Sequence, residues 1–195
     1  MRGELTSEQC ESVIVQVIDM FEECGINSLP IDPFFIAETL HYILVPYSAL
    51  SPEGLRYALL ISSDAFSRVE TGMMNGICIS RYVIYYNDRQ YPARIRWTLL
   101  HEIGHCYLGH HDHPDDSLKE TEEAEANLFA KYSIAPPPLI NLMRMKSADA
   151  VAQLFATSNQ EATYALEYYR KWLLYGPDEY TDYEIRLLRL FDVAA

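Results

Sequence analysis

The most constraining feature of the sequence is the motif His-Glu-x-x-His, formed by His101, Glu102 and His105. On an α-helix, residues four positions apart share a face, so both histidines can reach one metal ion. Glu102 lies about 100° round the helix from His101, where its carboxylate can contact a metal-bound water without binding the metal. This pattern is typical of zinc hydrolases, and the rest of the chain must supply a third ligand and a core beneath the helix.

Composition predicts a folded and acidic protein. The 195 residues, of which 49% are hydrophobic, suffice for one compact domain with or without a small appendix, and they exclude the disordered class. The net charge of −13 argues against a surface for nucleic acids or anionic membranes, which require clustered Lys and Arg. The same charge would suit a basic partner or substrate.

The cysteines predict a reduced protein. Cys10, Cys24, Cys78 and Cys106 form no Cys-x-x-Cys pair. The polar, acidic first residues are unlike a signal peptide, and the apolar runs are too short to cross a bilayer. We therefore expect a cytoplasmic protein without a membrane partner.

Apolar periodicity predicts helices before a small sheet. Helices are indicated at 7–24, from Asp32-Pro33 to residue 40 and from Ser51-Pro52, with a short buried strand at 42–45. Between residues 65 and 88 the apolar residues alternate with a period of two. Strands are predicted there at Phe66–Val69, Ile77–Ile79 and Tyr82–Tyr86. These strands predict a small antiparallel sheet just before the metal-binding helix.

Helices dominate the rest of the chain. Pro92 suits the first turn of the metal-binding helix and Gly109 suits its end. The next helix is predicted from about Glu120 to Ile134, followed by an extended corner at Pro136–Pro138. Further helices are predicted at 139–146, 148–155, 160–174 and 180–193.

A third metal ligand is expected on the helix after the motif, because catalytic zinc commonly has three protein ligands. Glu123 and Glu125 are the candidates, and the alanines around them would allow close helix packing. The two carboxylates point roughly 200° apart on an ideal helix, so one of them can face the metal. Helical geometry alone leaves both open.

These motifs together resemble the ImmA/IrrE family of metallo-endopeptidases. The resemblance rests on Arg-x-Arg-Trp-Thr-Leu-Leu from Arg94, His-Glu-Ile-Gly-His from His101 and Glu-x-x-Ala-Asn-x-Phe-Ala from Glu123. It covers residues 40–140 well. It implies an α+β fold, a mainly helical zincin-like domain, with zinc (Zn2+) as cofactor. It also implies Glu123 as the third ligand beside His101 and His105, and Asn127 as a residue that orients a ligand.

The resemblance implies a zinc-dependent endopeptidase in which Glu102 activates a zinc-bound water and passes its proton to the leaving amine. It further implies a protein substrate, a helix-turn-helix repressor of a mobile element or a stress response. His110, Tyr107 and Tyr132 are candidates for stabilising the oxyanion. The alternative is a non-proteolytic regulatory or toxin-antitoxin type binding protein that keeps the metal fold.

Two further patterns have simpler interpretations. We expect a domain at residues 1–146 and a helical appendix at 147–195 that packs on it. Residues 147–162 resemble a helix-turn-helix, but Glu161 and Glu167 make its second helix acidic, so no direct nucleic-acid binding is expected. The loop histidines and aspartates at 110–116 lack a regular ligand spacing, so no second metal site is predicted, and His110 is expected to line the cleft.

Overall fold

A computed structural model describes residues 5–74, 77–111 and 117–191 of the chain. Its helices are α1 (Ser7–Cys24), α2 (Pro33–Thr39), α3 (Pro52–Ile61), α4 (Pro92–Tyr107), α5 (Lys119–Ile134), α6 (Pro137–Leu142), α7 (Ala148–Phe155), α8 (Asn159–Tyr175) and α9 (Asp182–Leu190). Its strands are β1 (Ile43–Pro46), β2 (Ala65–Met74) and β3 (Ile77–Tyr86), and a 3-10 turn spans Tyr47–Ala49. The α+β class and the sheet before the metal-binding helix are confirmed.

Local sequence signals account for the first two helices. The Thr6 side chain accepts a hydrogen bond from the Gln9 backbone, and the Gln9 side chain accepts one from Thr6, which forms a capping box. Gly25 ends α1 at a φ of 67°, a conformation that glycine adopts without strain. Asp32 caps α2, with Pro33 at its first position, as predicted.

The sheet is mixed, with strand order β1-β3-β2. Strands β2 and β3 form the predicted antiparallel pair, with a register that runs from Ala65↔Tyr86 to Met74↔Ile77. The two short strands predicted within β3 are one, because backbone hydrogen bonds continue through polar residues. Strand β1 adds in parallel to β3. It was predicted to be buried, but it lies at a sheet edge, where Ile43 is 38% exposed.

Helices α4 and α5 pack closely beneath the site. Leu99, Leu100 and Ile103 of α4 and Phe129 of α5 are fully buried in one core cluster. A Cβ atom on Gly104 would lie 3.1 Å from the Phe129 ring, so glycine permits this close approach. The contact brings the motif on α4 next to the carboxylates of α5.

The C-terminal helices contribute to the same core. Val151, Phe155 and Leu187 are fully buried in the cluster that contains residues of α1 and α4. The rings of Phe191 and Phe21 meet edge to face, with 6.3 Å between their centroids. The division between residues 146 and 147 stays a prediction. Within the described residues, no helix is long and apolar enough to cross a membrane.

The extended corner predicted at Pro136–Pro138 is wrong in part. Pro136 is extended, with a ψ of 133°, but Pro137 and Pro138 open the short helix α6. Proline is tolerated in the first turn of a helix, where the backbone N–H has no intrahelical partner. Helix α6 ends at Leu142, and α9 ends at Leu190, both before the predicted positions.

Candidate metal centre

Helix α4 directs both motif histidines at one point. The Nε2 atoms of His101 and His105 lie 3.1 Å apart. Glu123 of α5 faces them, with one carboxylate oxygen 3.5 Å from His101 Nε2 and the other 3.6 Å from His105 Nε2. These donor atoms all lie within 4.8 Å of one another, so the structure brings the three predicted ligands together.

The spacing of these atoms fits a small tetrahedral metal ion. Ligand atoms at about 2.0–2.1 Å from zinc lie about 3.3 Å apart at tetrahedral angles. The observed separations of 3.1, 3.5 and 3.6 Å are close to that value. Two imidazoles and a carboxylate are also a common donor set for catalytic zinc. The Glu123 side chain is 50% exposed, so this ligand lies on the open side of the centre.

Burial favours the neutral form of both motif histidines. It lowers the pKa of His105 to about 3, with further lowering by the nearby His101, His110 and His111 rings. Burial also lowers the pKa of His101, although Glu123 and Asn127 favour its protonated form. Neutral imidazole has a nitrogen lone pair for a metal, so both rings are suited to bind at neutral pH.

Glu102 is a buried carboxylate beside this centre. It is 7% exposed, and burial raises its pKa to about 7. Ser67 of β2 donates a hydrogen bond to Glu102 Oε2 at 2.6 Å, which opposes this shift. A carboxylate with a pKa near 7 can both accept and release a proton at neutral pH.

Ser67 is a site residue that the sequence motifs did not indicate. Its Oγ also lies 2.9 Å from Nε2 of His111. Because the Ser67 hydroxyl donates its hydrogen bond to Glu102, Ser67 Oγ is the acceptor in the contact with His111. The strand alternation offers a signal, since Ser67 lies two positions from the buried Ala65 and so shares its face of the strand.

Glu125, the other candidate for the third ligand, faces a different group. Its Oε2 lies 3.1 Å from His110 Nε2, and His110 Nδ1 lies 2.9 Å from His105 Nδ1. His110 lines the cavity as expected, but both of its ring nitrogens are already near partners. Of the other proposed oxyanion donors, Tyr107 donates to Glu23 and Tyr132 is 2% exposed in the core. Neither of these tyrosines lines the cavity.

The centre opens into a cavity of about 840 Å³. Its apolar lining includes the side chains of Ile61, Phe66 and Trp97. Arg94 also lines the cavity and pairs with Asp64 at 2.6 Å. The aspartates and histidine at 112–116 lie outside the described residues. The cavity is large enough for several residues of an extended peptide.

Comparison with known protein families identifies a match over more than half of the chain. The sequence profile of the IrrE N-terminal-like domain matches residues 60–167. The matched range runs from the end of α3 into α8 and includes the metal-ligand candidates, Glu102 and Ser67. No curated protein matches the chain.

Proposed function

Because the chain belongs to the M78 peptidase family, which has the IrrE N-terminal-like domain, we propose that it is a zinc-dependent endopeptidase. The family indicates a metallopeptidase that acts on protein substrates and requires a divalent metal. The convergence of His101, His105 and Glu123 is the observation that carries the proposal. Zinc is the proposed metal because the donors are two imidazoles and a carboxylate at tetrahedral spacing.

Glu102 is the proposed general base. When bound, the metal polarises the scissile carbonyl and lowers the pKa of water. Glu102 takes a proton from the attacking water and passes it to the nitrogen of the leaving amine, which leaves as the peptide bond breaks. The hydrogen bond from Ser67 holds one carboxylate oxygen, so the other is directed to the reactants.

The proposed substrate is a helix-turn-helix repressor encoded in a mobile element or a stress response. Such repressors carry basic surfaces that bind DNA phosphates. The net charge of −13 on this chain would attract a basic surface and speed its encounter with the enzyme. A substrate of this kind implies action in the cytoplasm, and it requires no DNA binding by the peptidase itself.

The alternative is a non-proteolytic binding protein that retains the metal centre. This alternative assigns no role to Glu102, whereas burial of Glu102 has an energetic cost that catalysis would explain. The hydrogen bond between Ser67 and Glu102 likewise favours the peptidase. The two functions differ in whether a bound repressor is cut.

Incubation of the zinc-loaded protein with the repressor encoded next to it tests the proposal. Two unrelated helix-turn-helix repressors serve as matched controls. Mass spectrometry should reveal two fragments from one cut in the neighbouring repressor, lost on chelation and restored by zinc. A repressor that binds tightly but stays intact in the presence of zinc would support the binding protein instead.

A further inference from the structure

We propose that Glu125 and His110 form a hydrogen-bonded chain that fixes the proton position and ring orientation of His105. They are therefore positioning residues for the metal centre. The inference rests on the proposed function, because His105 is taken as a metal ligand. Its atoms are nevertheless all in the described structure, so it can also be tested on the metal-free protein.

The chain consists of two contacts in sequence. His110 Nε2 lies 3.1 Å from Glu125 Oε2, and His110 Nδ1 lies 2.9 Å from His105 Nδ1. The His110 side chain is 8% exposed and that of Glu125 is 22% exposed. Water therefore has little access to compete for these hydrogen bonds, and the rings of His105 and His110 are held at an interplanar angle of 72°.

The carboxylate sets the direction of every proton. An ionised Glu125 can accept but not donate, so His110 carries its proton on Nε2. The Nδ1 atom of a neutral His110 is then an acceptor, and it receives a hydrogen bond from His105 Nδ1–H. The Nε2 atom of His105 is left with its lone pair, and it is this atom that faces Glu123 and His101.

The backbone brings these groups together from two elements. Gly109, with a φ of 74°, follows α4 and turns the chain so that His110 folds back against His105. Helix α5 carries both Glu123 and Glu125. One carboxylate thus meets the Nε2 side of His105, and the other acts on its Nδ1 side through His110.

His101 is not part of this chain of contacts, and the neighbouring Glu123 and Asn127 side chains favour its protonated form. The Nδ1 atom of His101 is buried and has no hydrogen-bond partner in the part of the chain that the structure describes. The positioning effect is therefore assigned to His105 alone. Partners that orient a ligand histidine in this way contribute about 10–100-fold in metal affinity in other metal sites.

Zinc affinity and the His105 tautomer test the proposal in E125A, with E120A as the control on the exposed side of the same helix. In competition with a chelating dye, E125A should bind zinc about 10–100-fold more weakly than the wild type. E120A should bind zinc with wild-type affinity. In the metal-free wild type, nitrogen-15 NMR should show His105 protonated on Nδ1, and E125A should lose this preference. E125Q keeps the side-chain shape but accepts a weaker hydrogen bond, so it should show a smaller loss of zinc affinity and of the tautomer preference. It replaces E125A as the test variant if E125A does not fold.

Unchanged zinc affinity and an unchanged His105 tautomer in either folded variant would overturn the positioning role. Failure of the proposed function has a different signature, because the wild type would then bind no zinc, or would bind zinc and leave every tested repressor intact. The tautomer in the metal-free protein would still report on the chain from Glu125 to His105 in that case.

Discussion

Ser67 of β2 donates a hydrogen bond to Glu102 of α4, with 2.6 Å between Oγ and Oε2, although the two residues are separated by 35 positions in sequence. The contact ties the proposed base to the sheet and leaves one carboxylate oxygen for the reactants. Replacing Ser67 with alanine should therefore lower kcat about tenfold or more, with little change in KM or zinc content.

Two variants make this prediction specific. Thr71→Ala lies further along the same strand, where its hydroxyl contacts Ser80 at the surface, and should retain wild-type kcat. Ser67→Thr keeps a hydroxyl and should recover part of the lost rate. Equal kcat values for S67A and T71A would show that Ser67 does not position the base.

Burial of Glu102 should also appear in the stability of the metal-free protein. The pKa of Glu102 is raised from 4.5 to about 7. Below pH 4.5 both the folded and unfolded states hold the proton. As the pH rises toward 7, the unfolded state ionises first and the wild type loses stability. E102Q should therefore exceed the wild type by roughly 3 kcal/mol at pH 8 and by little at pH 4.

Urea unfolding of both proteins at the two pH values measures this difference. Gln keeps an oxygen that can accept the Ser67 hydrogen bond, so the comparison isolates the charge. A stability gain of the same size at pH 4 and pH 8 would contradict the assignment of a raised pKa to Glu102.

The third ligand can be distinguished from its neighbour by affinity. Glu123 faces the Nε2 atoms of both histidines, whereas Glu125 acts through His110. E123A should therefore bind zinc about 100-fold or more weakly than the wild type, because it removes a donor atom from the ion. This loss should exceed that of E125A. Isothermal titration with zinc gives both values, and a larger loss in E125A would reverse the two assignments.

The close contact between α4 and α5 should be sensitive to a single methyl group. A Cβ atom at Gly104 would lie 3.1 Å from three atoms of Phe129, which is fully buried. Gly104→Ala should destabilise the fold by about 1–3 kcal/mol and weaken zinc binding, because it moves Glu123 away from the histidines. Chemical unfolding and zinc titration measure these effects.

Gly72→Ala is the control, because no atom lies within 4 Å of its added Cβ. Equal stability of the Gly104→Ala and Gly72→Ala variants would contradict the packing argument.

Local patterns in the sequence predicted most of the helices and the two motif histidines. The start of α2 follows from Asp32 and Pro33 and the first turn of α4 follows from Pro92, because these signals depend on residues a few positions apart. The facing of His101 and His105 follows from helical spacing in the same way. Features set within one helix were therefore accessible from the sequence.

Features that depend on packing between distant segments were not predicted. The parallel pairing of β1 with β3 depends on which edge of the sheet is available. The residues of β1 do not indicate which strand it will pair with. The approach of Ser67 to Glu102 depends on how β2 lies over α4. Helical geometry left Glu123 and Glu125 both open as the third ligand, and the contact of Glu125 with His110 depends on the fold.

The central claim is that Glu102 drives zinc-dependent cleavage of a protein, and turnover of one substrate by zinc-loaded wild type and E102Q tests it most directly. Zinc content should be the same in both proteins, since the candidate ligands are His101, His105 and Glu123 and do not include Glu102. The cleavage rate of E102Q should fall by about 10²–10⁴-fold. An E102Q protein that holds zinc and cuts at most of the wild-type rate would contradict the claim.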